Sequence, residues 1–347
     1  MLSRFLTALI LGGSALVLLA FGWPQLFGLQ NSWVVAHAVS LRGLGVAVAA
    51  AGALVLLLLT PVRPLRRLAG SLAVLLLLFA VGNAAVLATR GIGLTASAGT
   101  GESAASATRT DVTVLSWNTL GDKPGAAAIA RLALDQNADI VTLPETTEAT
   151  GEKVATLMRE GGRPMWVHTI AFDQISKARS TTLLISPNLG EYTVSNPGGS
   201  GPPGNTNVLP TVVATSVNGV GPTIIAVHAV APINWEMSNW RSDLDWLADQ
   251  CSGGNVIMAG DFNATVDHMS GRESTSSAVL GRCRDAALAT GSGAVGTWPT
   301  FLPPLLGSPI DHVLATPNWQ TDSVSVIQSM DAAGSDHRPI VATLSLR

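Results

Sequence analysis

The chain has 347 residues, enough for one or two domains, and its 20 basic and 23 acidic residues leave a formal charge of −3. That charge is unevenly placed: up to Arg90 there are basic residues only (Arg4, Arg42, Arg63, Arg66, Arg67 and Arg90), whereas from Arg109 onward the acidic residues outnumber the basic. An acidic distal region with no basic stripe is poorly suited to long polyanions, whose binding depends on neutralising phosphates.

Three uncharged apolar stretches open the chain: Phe5 to Gly22, Gly43 to Thr60 and Leu68 to Thr89. Each is near the ~20 residues that cross a bilayer core. None has the polar face expected of a helix on a soluble protein. Residues 1–90 are therefore expected to form a three-helix transmembrane anchor, a multi-pass contact with the cell membrane. Arg63, Arg66 and Arg67 crowd the link between the second and third stretches, which marks that link, and with it the N-terminus, as cytoplasmic. Everything after Thr89 is then extracytoplasmic. The first stretch read as a signal peptide, for which no convincing cleavage site is seen, gives the same side. Asn83 is expected to be satisfied against a neighbouring helix.

Residues 91–110, small and rich in Gly, Ser, Ala and Thr, read as a flexible linker. Residues 111–347 are long enough for one sizeable core. Cys251 and Cys283 lie in this outer domain, where disulfides persist. They are either bridged or two free buried thiols. A bridge closing so long a loop would contribute roughly 3–4 kcal/mol in the chain-entropy model.

Within the outer domain, Val112 to Trp117 alternates as a strand and ends in Asn118. A helix over Lys123 to Gln136 leads to a strand, Ile140 to Leu143, that ends in Pro144-Glu145. Strands Thr182 to Ser186 and Thr211 to Val217 flank a Gly/Pro loop, Asn196 to Asn207. Thr223 to Val227 is a strand ending at His228. The next helix, capped by Ser238, carries Trp240, Leu244, Leu247 and Cys251 on one face. The apolar run Val256 to Ala259 then ends abruptly in Gly260-Asp261-Phe262-Asn263. Strand alternation puts Asp261 and Asn263 on one side, and Gly260 lets another backbone approach. Asp267 and His268 just beyond read as loop residues. A helix over Val279 to Thr290 precedes strands Ile310 to Ala315, Asp322 to Gln328 and Ile340 to Leu346, the last opened by Ser335-Asp336-His337-Arg338-Pro339. Strands that alternate with helices and also follow one another directly argue for mixed sheets covered by helices.

Acid, amide and imidazole groups recur at the ends of these strands. The ordered set Ser116-Trp117-Asn118, Leu143-Pro144-Glu145, His228, Gly260-Asp261-Phe262-Asn263, Ile310-Asp311-His312 and Ser335-Asp336-His337 resembles the endonuclease/exonuclease/phosphatase superfamily, the DNase I-like fold, here in a membrane-anchored bacterial type. The resemblance covers almost all of Val112 to Arg347. It implies an α/β fold, a four-layer α/β sandwich of two mixed β-sheets face to face with helices outside. It also implies a divalent metal, Mg²⁺ or Mn²⁺, held by Asn118, Glu145 and Asp336. Asp261 would orient or deprotonate the attacking water, and Asn263 would hold a phosphate oxygen. His337, held by Asp311, would act as donor or acid/base, with His228 across the scissile group. Arg179 and Ser180 precede a strand near where the family often contacts phosphate.

The expected activity is that of a metal-dependent hydrolase of a small or lipid-linked phosphoester. A nuclease acting on DNA or RNA is an alternative, less favoured because of the acidic outer domain. A catalytically silent binding domain on the same fold is an alternative of another class. The sequence has no readable code for the oligomeric state or for the loops that would select a substrate (Asn196 to Asn207, Ile233 to Ser238, Thr297 to Leu306). Trp235 and Trp298 are rim candidates.

Overall fold

The computed structural model describes residues 2–97, 111–173, 175–195 and 201–347. Its first part is helical: α1 (Leu2–Gly22), α2 (Trp33–Ser40), α3 (Arg42–Leu58) and α4 (Arg66–Arg90). Long runs of Leu and Ala, both strong helix formers, account for this. α1 and α4 are each long and apolar enough to cross a membrane, while α2 and α3 pass that test only as a pair bent by 85°. α3 has 17 residues and stops before Thr60-Pro61, because the residue preceding a proline is disfavoured in helical geometry. At ~1.5 Å per residue it is a few ångströms shorter than a hydrocarbon core of ~30 Å. Asn83 does find a neighbouring helix: its Oδ1 accepts from Arg42 at the start of α3.

The distal part contains, in order, β1 (Thr95–Ser97), β2 (Asp111–Ser116), α5 (Gly125–Asp135), β3 (Ile140–Pro144), α6 (Glu148–Glu160), β4 (Trp166–Ala171), β5 (Ser180–Ile185) and β6 (Tyr192–Val194). Then come β7 (Val212–Ser216), β8 (Thr223–His228), α7 (Met237–Gln250), β9 (Val256–Asp261), α8 (Val266–Met269), β10 (Arg284–Asp285), α9 (Ala286–Thr290), β11 (Asp311–Ala315), β12 (Trp319–Val326) and β13 (Ile340–Leu346). One sheet has the order β1-β12-β13-β2-β3-β5-β4 and the other β10-β11-β9-β8-β7-β6. Each contains one parallel pair, β2–β3 in the first and β8–β9 in the second; their other neighbours are antiparallel.

Strand alternation sorts the core into three layers. Val112, Val114, Ile257 and Ala259 point between the sheets. Leu115, Trp117 and Val141 point outward against Ile129 of α5 and Val154 of α6. Met258 points outward on the other side, against Trp240, Leu244 and Leu247 of α7. The result is the expected four-layer α/β sandwich. Cys251 and Cys283 are joined as a disulfide, tying the end of α7 to the segment before β10.

Several local expectations need correction. α7 starts before Ser238, with Glu236 at its cap, because a 3₁₀ turn over Asn234–Glu236 runs straight into it. The helix expected over Val279 to Thr290 is confined to α9. Upstream, Arg282 N–H donates to Cys251 O beside the disulfide and Gly281 takes φ +53°, which holds that segment out of a helix. The linker expected from Gly91 does not begin there: Gly93 N–H donates to Gly291 O, Ala294 N–H to Gly91 O, and β1 pairs with β12. A composition-based reading cannot anticipate capture by an open sheet edge. Residues 98–110 of that linker, and 196–200 of the Gly/Pro loop, lie outside the described residues.

Candidate active site

The two parallel pairs bring the candidate residues together. β8 and β9 run in register with His228 opposite Asp261, and antiparallel β11 places Asp311 opposite Asp261 on the other side. Three chemically active residues therefore form one row across three adjacent strands. Gly260 makes this possible: at φ +149° a Cβ there would collide with the backbone of Val227. In the facing sheet, β2 and β3 end just before Asn118 and Glu145, and β13 begins just after Asp336 and His337. Glu145 takes φ +58°, an unusual conformation for a non-glycine residue. Its carbonyl is fixed there by Thr119 Oγ1 at 2.9 Å and Asp122 N at 3.2 Å.

Asn118 links the two sheets. Its Nδ2 donates to Glu145 Oε1 at 3.2 Å and to Asp261 Oδ2 at 3.0 Å, while its Oδ1 accepts from Leu120 N. His337 Nδ1 meets Asp311 Oδ2 at 2.9 Å, and its Nε2 faces Asp261 Oδ2 at 3.8 Å. His228 Nε2 lies 4.0 Å from Glu145 Oε1. Asn263 donates its backbone N–H to Asp261 Oδ1 at 2.8 Å; its Nδ2 reaches Ala229 O at 2.9 Å and, more loosely, Asp261 Oδ2 at 3.3 Å. Ser335 Oγ donates to Asn118 O at 2.6 Å and accepts from His337 N, which clamps the Ser335–His337 segment to the end of β2.

Electrostatics separate the two histidines. Burial, reinforced by His337, drops His228 to about 3, so it is neutral near pH 7. Burial also acts to lower His337, but Asp311 and Asp261 outweigh it and hold His337 well above the usual imidazole range, as a cation. Burial pushes Asp261 upward against the opposing pull of His337. Glu145 is raised by burial too, with Asn118 opposing and Asp336 adding to the rise.

Among the described residues, two groups of side chains have the chemistry to hold a cation. Asp261, Asp311 and His337 offer ligand atoms within 4.8 Å of one another. Asp311 and Asp261 hold His337 as a cation, however, and a protonated ring has no lone pair to offer an ion, so this group reads better as a charged hydrogen-bonded relay. The second group is the carboxylates of Glu145 and Asp336, oxygen donors suited to a hard cation, beside Asn118, which here turns its Nδ2 towards Glu145 and its Oδ1 to Leu120 N. Asp336 Oδ1 is buried without a protein partner, and Glu145 feels the Asp336 charge.

All eight residues singled out from the sequence are thus linked to this site by hydrogen bonds, close approach or mutual electrostatics. Arg179 and Ser180 are not: Arg179 is spent on Asp173 and the carbonyls of Asn207 and Val208, and Ser180 Oγ on Lys177 O. His312 points away, to Asp285 Oδ2 at 2.6 Å. Trp298 is more than a rim residue, since its Nε1 donates to Asp336 Oδ2 at 2.9 Å. Arg338 Nη2 pins the same loop through Thr300 O and Leu302 O, both at 2.8 Å. Asp267 and His268, expected in a loop, are buried in α8; Asp267 is 3% exposed. Two arginines in the N-terminal helices engage Asp267, and no local pattern around it signals such distant partners.

The model of the Endonuclease/Exonuclease/phosphatase family matches residues 115–337. No curated protein matches the chain. Among solved structures, an endonuclease/exonuclease/phosphatase from Beutenbergia cavernae is similar with a TM-score of 0.51 and 19% identity, over 69% of this chain and 72% of that one. An endonuclease/exonuclease/phosphatase family protein from Bacteroides thetaiotaomicron gives 0.50 and 15%, over 69% of this chain and 99% of that one. At these identities the likeness speaks for the fold alone.

Proposed function

The chain belongs to the endonuclease/exonuclease/phosphatase family, and from that premise we propose a membrane-anchored, extracytoplasmic, divalent-metal-dependent phosphoesterase. Its substrate is a phosphoester presented at the bilayer, cleaved by direct attack of water. The cluster Arg63, Arg66 and Arg67 between α3 and α4 supports a cytoplasmic position for that turn, and so an outer position for the distal domain. Trp23, Phe27 and Trp33 are exposed at the opposite ends of the helices, where aromatic residues favour a membrane interface.

One observation carries the lipid-linked substrate: the rim of the site rests on the membrane helices. The loop that begins at Thr297 donates to Asp336 through Trp298 and continues to Pro304–Leu306, where the Leu305 carbonyl lies against Gly43 of α3. Phe301 on this loop is 81% exposed, and Trp235, on the loop that follows His228, is 79% exposed. Just beyond Trp235, Arg241 bonds Asn31 O in the α1–α2 connection. Exposed aromatics beside a site that touches the membrane helices suit a substrate with an apolar tail.

Glu145 and Asp336 would hold the cation, joined by Asn118 once its carboxamide turns its Oδ1 towards them. The buried, unpartnered Asp336 Oδ1 and the raised Glu145 carboxyl fit that role, since a cation relieves both. When bound, it supplies charge compensation and polarises a phosphoryl oxygen. Asp261 would take a proton from the attacking water, a task that its burial favours by raising its basicity. His337, kept charged by Asp311, would donate to a phosphate oxygen, and neutral His228 would donate from the other side. Asn263 would exchange its long 3.3 Å bond to Asp261 for a phosphate oxygen.

The test is a hydrolysis panel on the full chain in detergent with Mg²⁺ or Mn²⁺, comparing bis(p-nitrophenyl) phosphate, soluble phosphomonoesters, inositol and polyprenyl phospholipids, and DNA. The expected result is preference for a lipid phosphoester with weak salt dependence. Preference for DNA, lost steeply as salt rises, identifies a nuclease instead.

A further inference from the structure

Between α1, α4 and α8 lies a cavity of about 780 Å³, separate from the residues around Asp261. Its walls are apolar. α1 contributes Ala15, Leu18 and Leu19, and α4 contributes Leu75, Phe79 and Val86, in each case at the spacing that shares one helix face. The lining of α4 runs from Leu75 to Arg90, or ~22 Å at 1.5 Å per residue. A single leaflet of a ~30 Å hydrocarbon core is about 15 Å deep. The cavity therefore has the reach of one leaflet, with a polar group at the end nearest the distal domain.

That end carries Arg42, Arg90 and Asp267. Each arginine makes two hydrogen bonds of 2.8 Å to the same carboxylate. Two guanidinium groups thus face one carboxylate, and among the described residues no other acidic side chain lines the cavity. One positive charge is left over at the top of an apolar slot. Leaving a charge without a counter-ion in such surroundings is costly, so the site is matched to an anion. Asn83 and Gln25 add polar groups at the same end, Gln25 through its bond to Asp267 Oδ1 at 2.9 Å.

Arg42 also gives Nη1 to Gly22 O and Asn83 Oδ1, whereas both hydrogen bonds of the Arg90 guanidinium go to Asp267, so Arg90 keeps N–H groups for a ligand. We propose that this cavity binds an anionic phospholipid of the outer leaflet, with an acyl chain between α1 and α4 and the headgroup phosphate at Arg90, beside Arg42. A zwitterionic lipid carries its own cation and lacks the charge match. The inference rests on the membrane placement proposed above, but not on the reaction.

Gly82 provides the test. It lines the cavity, and a Cβ built there meets no atom within 4 Å, so Gly82→Phe fills the slot while leaving the arginines and Asp267 in place. The full chain, extracted in mild detergent, is titrated with phosphatidylglycerol or phosphatidylcholine and followed by native mass spectrometry and thermal unfolding. Saturable binding of phosphatidylglycerol is expected, with a raised Tm, weakened about tenfold or more in Gly82→Phe. Phosphatidylcholine is expected to give no such gain. Equal phosphatidylglycerol binding by the wild type and Gly82→Phe, or equal response to the two lipids, overturns the proposal. Arg90→Gln should also lose the preference for the anionic lipid; if it fails to fold, Gly82→Phe still decides. A chain that remains in the aqueous phase without detergent refutes the membrane placement itself. A detergent-dependent chain that binds no phosphatidylglycerol refutes the lipid site alone.

Discussion

Asp267 and Arg42 are joined by two hydrogen bonds of 2.8 Å, Nε to Oδ2 and Nη2 to Oδ1, across a sequence separation of 225 residues. Arg90 grips the same carboxylate at the far end of α4. One buried side chain of the distal domain thereby fixes two membrane-type helices to it. α8, which carries Asp267, starts three residues after Asn263, so the same contact steadies the chain leaving the candidate site.

Removing this carboxylate leaves two arginines facing each other without compensation. Burial opposes ionisation of Asp267, but hydrogen bonds from Arg42 and Arg90 hold its carboxyl well below the usual range. Asp267→Asn is expected to destabilise the full chain by about 3–5 kcal/mol, the cost of breaking a buried pair from one side. Thermal unfolding in detergent measures it.

Glu145→Gln and Asp261→Asn are each expected to lower hydrolysis by about 10²–10⁴-fold, since each removes a carboxylate from the reaction centre. Circular dichroism should show both variants folded. Chelation by EDTA should stop wild-type turnover, and added Mg²⁺ or Mn²⁺ should restore it. Turnover at the wild-type rate in either variant would remove these residues from the mechanism.

Asp311→Asn tests the charge on His337. Burial alone depresses this imidazole, and Asp311 is the leading group that raises it. Without that carboxylate, His337 gives up its proton at lower pH. The alkaline fall in kcat is therefore expected to move towards neutrality, together with a lower maximal rate. An unchanged pH–rate profile would argue that His337 does not act as a charged donor.

Gly43→Ala separates the rim loop from α3. The added Cβ would overlap the Leu305 carbonyl, so the backbones must part. Because the loop ends in the bond from Trp298 to Asp336, kcat/KM for a lipid phosphoester is expected to fall more than that for bis(p-nitrophenyl) phosphate. Equal losses on both substrates would point to a general effect on the site rather than on presentation at the membrane.

Acid sensitivity should come partly from His268. Burial lowers it to about 4 from an ordinary 6.5. Its Nδ1 accepts from Thr265 N at 2.8 Å, and its Nε2 faces Ala36 O on α2 at 3.0 Å, so the neutral ring is the one that fits. The unfolded chain takes up a proton near pH 6.5 and the folded chain does not. The contribution of His268 to stability is therefore complete above pH 6.5 and is lost as the pH drops towards 4, by up to roughly 3 kcal/mol. His268→Gln should flatten Tm over that interval.

The Val256–Asn263 segment shows why so much of the site was legible in the chain. A short continuous apolar run and an abrupt Gly-Asp-Phe-Asn ending are local properties, and the row of His228, Asp261 and Asp311 follows once the strands are neighbours. The apolar stretches that became α1 and α4 were equally readable, because hydropathy over some twenty residues needs no partner. β4, β6 and α6 were missed. The exposed edge strand β4 and the short β6 have little apolar alternation to declare them, and α6 exposes most of its polar face.

What the residues determined by themselves is chemical: which side chains stand at strand tips, which stretches are apolar enough for a bilayer, and which two cysteines are available to pair. Tertiary structure alone decided that Asp267 is a buried clasp, that Trp298 supports Asp336, and that residues 93–97 join the sandwich rather than drift from it. The physical reason is range. A strand or a membrane helix is written in the residues that compose it, whereas an ion pair between positions 42 and 267 leaves no mark on either neighbourhood until folding brings them together.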